Sequence, residues 1–182
     1  HTNGDGGSLG PRQVAWLEEE LVRHHRRWRD ADGSWATGDG PDRLVVLVSH
    51  HNSWTMDNRH DDEADPGRRV GGAELVQLLH RFPNVVLWVN GHCHEHRVIR
   101  HPGPDPAPGG AAPTGGSGFW EVDTASLIDF SQQGRTFELL DNGDGTLSVL
   151  TTVVDHASGP RAPRHRHGRW TVPELGSLSR EL

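Results

Sequence analysis

Lysine is missing from this chain: all 18 of its basic residues are arginine. That bias reads as GC-rich codon usage and not as a physical demand. Acidic residues number 25, so the formal net charge is −7, which argues against nucleic-acid binding driven by charge alone. A single cysteine, Cys93, excludes an internal disulfide and leaves the redox compartment open. No apolar run approaches the roughly 20 residues needed to span a bilayer, so a soluble bacterial protein is expected, cytoplasmic or exported. Hydrophobic residues make up only 32%, low for a globular chain, and its many glycines and prolines account for part of the deficit.

The length of 182 residues suits one domain or a large piece of one. Residues 1–10 read as a Gly/Asp/Ser loop. Pro11 then opens a helix whose apolar stripe is Val14, Leu17, Leu21 and Val22, at helical spacing. Glu18, Glu19 and Glu20 precede His24, His25, Arg26 and Arg27, the order the helix macrodipole favours, so the two histidines are expected at a solvated helix end. Gly38-Asp39-Gly40-Pro41-Asp42 reads as an ordinary turn. Residues 44–49, 72–81 and 85–90 form a strand, helix, strand series, with Pro83 stopping the helix. A βαβ unit of this kind makes the two strands parallel neighbours. Later strands are expected at 119–122, 136–140 and 147–154. Asp141-Asn142-Gly143-Asp144-Gly145 is the hairpin turn between the last two; it lacks the ligand pattern of a calcium loop. Residues 101–118 are too rich in proline and glycine to bury apolar surface and read as a flexible loop insertion. Residues 157–182 read as a Pro/Arg/His-rich linker with a short tail.

The chemistry concentrates at two strand ends. Leu44-Val45-Val46-Leu47-Val48-Ser49 runs into His50-His51, and Val85-Val86-Leu87-Trp88-Val89-Asn90 runs into Gly91-His92-Cys93-His94. Neutral imidazole is the commonest side-chain metal ligand, and sites in open α/β sheets lie outside the carboxyl ends of strands. If the strands are parallel, His50 and His92 leave the same end of the sheet. Metal binding is the reading that follows.

The strand-His-His block, the Gly-His-x-His block and the segment Gly118-Phe119-Trp120-Glu121-Val122-Asp123-Thr124-Ala125-Ser126, with Ile128-Asp129-Phe130 after it, resemble the calcineurin-like metallophosphoesterases, in particular a mainly actinobacterial branch. The resemblance covers roughly residues 8–156. It implies an α+β fold, the C-terminal part of a four-layer αββα sandwich with mixed sheets, of which this chain would supply the second sheet and part of the first. It also implies phosphomonoester or phosphodiester hydrolysis at two divalent metal ions (Mn, Fe, Zn or Co), with His50, His92 and His94 as direct ligands. The superfamily's earlier Asp-x-His, Gly-Asp-x-x-Asp and Gly-Asn-His-Asp/Glu blocks do not occur here. The chain is therefore read as the C-terminal portion of a longer protein, whose upstream half of the same domain would bring the bridging carboxylates.

His51 is the candidate catalytic residue, contacting substrate phosphate or orienting a ligand from behind, with plain packing as the alternative. Asn90 serves the turn backbone or an outer-shell role. Trp54 and Met56 cover a substrate or belong to the core, and Arg59, Arg68 and Arg69 are candidates for a phosphate oxygen. Two other functions stay open: a non-catalytic interaction module that keeps the fold, and a mononuclear zinc hydrolase using three histidines and an open water position.

Overall fold

The computed structural model describes residues 6–103, 118–129, 132–159 and 168–179. They belong to two compact units: residues 1–90 with 98–122, and residues 91–97 with 123–182.

The first unit opens with α1 (Pro11–Arg23), whose first turn is closed by the Gln13 side chain accepting the Gly10 N–H at 3.2 Å. Leu17 and Leu21 bury its inner face, and Glu19 and Glu20 pair with Arg23 one turn on. A short antiparallel hairpin follows, β1 (Arg27–Arg29) with β2 (Trp35–Thr37). Next come β3 (Val45–Val48), α2 (Gly72–Leu79) and β4 (Val85–Asn90). β3 and β4 are parallel and directly paired, Leu47 opposite Trp88 and Val48 opposite Val89, as the βαβ pattern predicts. β5 (Arg97–Pro102) and β6 (Gly118–Asp123) complete a sheet of order β3-β4-β6-β5, which is mixed. One continuous cluster of Leu17, Leu21, Met56, Leu75, Leu79, Phe82, Val85, Trp88 and Phe119 forms the core. Burial of side chains this size contributes about 1.5–3 kcal/mol each.

α2 sits hard against the loop that follows β3. The Gly72 N–H donates to the Met56 carbonyl at 2.9 Å, and a side chain at Gly72 would collide with the Ser53 backbone. Glycine is required there for the approach and not for its dihedral freedom.

The second unit contains the hairpin of β7 (Gly134–Asp141) and β8 (Leu147–Val154), antiparallel in one unbroken register from Gly134 opposite Val154 to Asp141 opposite Leu147. Its turn behaves as expected. Gly143 and Gly145 take φ of 73° and 86°, and Asp144 accepts both the N–H and the hydroxyl of Thr146. α3 (Val172–Ser179) lies inside the stretch read as a tail, started by Thr171, whose N–H and hydroxyl both donate to Glu174.

The described residues form a mixed helix-and-sheet fold with three helices and several sheets. The long Pro/Gly insertion lies mostly outside the described residues. Its first two positions, His101 and Pro102, belong to β5, and Gly118 to β6. Most of the Pro/Arg/His-rich linker, residues 160–167, also lies outside them. Among the described residues no helix is long and apolar enough to cross a membrane.

Candidate metal centre

Parallel pairing carries β3 and β4 to the same edge of the sheet, where the Ser49 N–H donates to Val89 O at 3.1 Å. His50 and His51 follow immediately on one strand. On the other, β4 ends at Asn90 and His92 is two residues further on. Two residues of chain reach at most about 7 Å, so His92 is tethered to that edge by its own backbone.

The turn bearing His50 and His51 is held from several sides. The buried Trp88 indole N–H donates to Ser49 Oγ at 2.7 Å, and that hydroxyl donates to the His51 carbonyl at 2.7 Å. Asn52 is fully buried and its Oδ1 accepts the Thr55 hydroxyl at 2.8 Å. His51 Nδ1 lies 3.3 Å from Thr55 Oγ1. Gly7 covers the His51 ring: a Cβ on Gly7 would stand 2.5 Å from two of its ring carbons. His50, exposed, meets His51 edge-on with ring centroids 5.0 Å apart, and each offers a nitrogen within 4.8 Å of one from the other. Two nitrogens about 2.1 Å from a tetrahedral zinc stand about 3.4 Å apart.

The Gly-His-x-His segment has a different distinction. His92 and His94 both adopt left-handed backbone, with φ of 76° and 56°. Such conformations cost of order 1–3 kcal/mol in a non-glycine residue and cluster at functional sites. The His94 side chain turns to Asp129, with Nδ1 3.2 Å from Oδ2. Glu95 accepts from Arg97 at 2.8 Å.

Behind the first unit's histidine turn lies a charge that sequence reading passed over. Glu121, on β6, is fully buried. Its Oε1 accepts the Ser53 N–H and the Asn90 amide, both at 2.7 Å, and its Oε2 accepts the Ser53 hydroxyl at 2.7 Å and His101 Nε2 at 2.6 Å. Burial pushes this carboxyl up. The bonds from His101, from Ser53 twice and from Asn90 outweigh it and hold the group below the ordinary carboxylate range. Asn90, for which a turn-backbone and an outer-shell role were both expected, gives its side-chain amide to this carboxylate. The signal for Glu121 was its spacing: with Phe119 and Asp123 it occupies alternate positions of a strand, the parity of the buried face.

Other expectations resolve differently. His25 does not end α1 in solvent. It is fully buried, with Nδ1 2.6 Å from Leu21 O and Nε2 accepting the Asn84 N–H at 3.2 Å. The helix closes onto Asn84 there, so its final histidine becomes part of the interior. Met56 is core and Trp54 is partly exposed at 37%. The three candidate arginines are all engaged: Arg59 and Arg68 with Glu74, Arg69 with Ser8. Asp42, in the Gly-Asp turn, accepts from Arg26 N and Asn84 Nδ2.

The chain matches no protein-family model, no curated protein and no solved structure.

Proposed function

We propose that this chain carries a divalent-metal site used for phosphoester hydrolysis, with His50 and His51 each offering an imidazole nitrogen and His92, two residues beyond β4, as the third ligand. The observation that supports it is the parallel pairing of β3 with β4, which starts two histidine-bearing turns from one sheet edge. Imidazole sets suit Zn, Mn, Fe or Co, and the left-handed backbone at His92 is strain of the sort that functional sites retain. Bound there, a divalent cation would lower the pKa of a water and neutralise phosphate charge. The chain's own part is to hold the imidazoles in place: Ser49 ties the His51 carbonyl, Gly7 backs its ring, and Glu121 braces the loop beyond it.

Two arrangements fit this reading. In the two-metal arrangement that the metallophosphoesterase resemblance implies, His94 serves the second cation. The bridging carboxylates then come from residues upstream of this chain, within a four-layer αββα sandwich. In the one-metal arrangement, three histidines hold a single zinc and leave a fourth position for water. The pairing of His94 with Asp129 and the proximity of His51 to His50 favour the second.

The deciding experiment is hydrolysis of an aryl phosphate and an aryl phosphodiester with added Mn or Zn, by this chain and by a protein extended upstream. Turnover confined to the extended protein supports two metals; robust turnover by the 182-residue chain alone supports one. If neither turns over and neither binds metal, the proposal fails.

A further inference from the structure

We infer that Glu121 is the positioning residue of the histidine edge: its buried carboxylate clamps the loop after His51 to the end of β4, and so sets where the imidazoles stand. The functional half of this inference rests on the metal reading above; the mechanical half does not.

A carboxylate taken wholly out of water carries a penalty of several kcal/mol, and an apolar residue at this buried position would avoid it. Glu121 is fully buried, and what it gains in return is local. Its two oxygens receive four donors, and three of them belong to the histidine turns. Ser53, two residues beyond His51, gives both its N–H and its hydroxyl; Asn90, two residues before His92, gives its amide. The fourth donor, His101 on β5, stacks on Phe119 with centroids 4.8 Å apart and presses Oε2 from the far side at 2.6 Å. One side chain on β6 therefore joins the segment after β3 to the end of β4. Carboxylates that orient a metal's ligands directly are worth roughly 10–100-fold in metal affinity, and Glu121 acts one residue further back, through Ser53 and Asn90.

The test compares wild type with Glu121→Gln, which keeps size and one acceptor oxygen but removes the charge. Backbone amide exchange is measured on metal-free protein at residues 50–55 and 88–92, alongside the urea midpoint. Cobalt binding is followed separately by its visible absorption spectrum. The expected result is an unfolding midpoint close to wild type, exchange at the Ser53 amide about tenfold faster, and cobalt affinity lower by about 10–100-fold with a changed band intensity. Unchanged exchange at 50–55 overturns the clamp whatever the metal does. If wild type binds no cobalt, the metal reading fails, while the exchange arm still judges the clamp. Should Glu121→Gln not fold, Ser53→Ala and Asn90→Ala each remove one donor and leave the carboxylate. Local exchange that rises about threefold in both upholds the clamp, and exchange unchanged in both refutes it.

Discussion

Trp88 and Ser49 meet across the β3–β4 pair, the indole N–H donating to the serine hydroxyl at 2.7 Å while that hydroxyl donates to the carbonyl of His51. A buried core side chain is thereby linked, through one oxygen, to the backbone of a candidate ligand. The two demands on Ser49 are separable. The indole needs an acceptor because it is fully buried, whereas the His51 carbonyl needs a donor only to keep the turn in one shape.

Ser49→Ala is therefore expected to lower unfolding stability by about 1–3 kcal/mol, the cost of a buried donor left unsatisfied. Trp88→Phe removes the donor together with its need and should cost mainly the lost packing. The check is urea denaturation of both variants and the double variant. Additive losses in the double variant would show that the two residues are not coupled through this bond.

Gly7 backs the His51 ring so closely that a methyl group has no room. Gly7→Ala should push the ring aside and weaken zinc binding by about tenfold, read by isothermal titration. The metal-free protein should also lose about 1–3 kcal/mol, the usual cost of overpacking, because Gly7 is tied to the Thr55 carbonyl and the Asn58 N–H. Zinc affinity equal to wild type would mean that His51 is not a ligand, or that its position is not set from this side.

Low pH should destabilise the fold through His25. Burial lowers its pKa below the ordinary 6.5, with the Leu21 hydrogen bond and Asp42 opposing that shift. The unfolded chain then takes up a proton at a pH where the folded one does not. The contribution is fully present above about pH 6.5 and is lost as pH falls through the lower folded value. His80 and His96 are lowered in the same direction, each chiefly by burial, so the effect is shared. Glu121, also lowered, acts only below the ordinary carboxylate value of 4.5. His25→Gln keeps a donor for Leu21 O and an acceptor for the Asn84 N–H. Between pH 6.5 and 5 it should show a shallower fall of unfolding free energy than wild type, by at most about 1.4 kcal/mol per pH unit. Equal slopes in the two proteins would refute this account.

How much of this was legible in the residues depends on what each segment buries. β3, α2 and β4 were readable because β-branched runs and 3.6-residue spacing bury one continuous apolar face. β1 and β2 were not, since Arg27, Trp28 and Arg29 carry no such pattern. Their hairpin is held by the Arg27 and Arg29 guanidinium groups over the Trp35 ring, 4.0 and 4.4 Å from its centroid, an attraction that no run of apolar residues announces. β5 hid for a similar reason: only Val98 and Ile99 are apolar in it. At the site, the histidines could be read from the strand ends. Which imidazoles pair, and what holds them, could not, because Gly7 and Glu121 lie far from them in sequence.

Metal stoichiometry in histidine variants separates the one-metal and two-metal arrangements. Losing a direct ligand should cost more than the roughly 10–100-fold that losing an outer-shell partner costs. With a single ion held by His50, His51 and His92, His51→Ala should abolish tight zinc binding. His94→Ala should leave both affinity and a stoichiometry of one unchanged, because His94 is engaged with Asp129 at the surface. With two ions, the protein extended upstream should bind two equivalents, and His94→Ala should reduce that to one and abolish hydrolysis. His92→Ala is expected to be inactive in both arrangements and so serves as the control for ligand loss. The measurement is metal content after gel filtration, together with aryl phosphate turnover, for all three variants. A His92→Ala protein that keeps its metal and its turnover would remove His92 from the site and sink both arrangements.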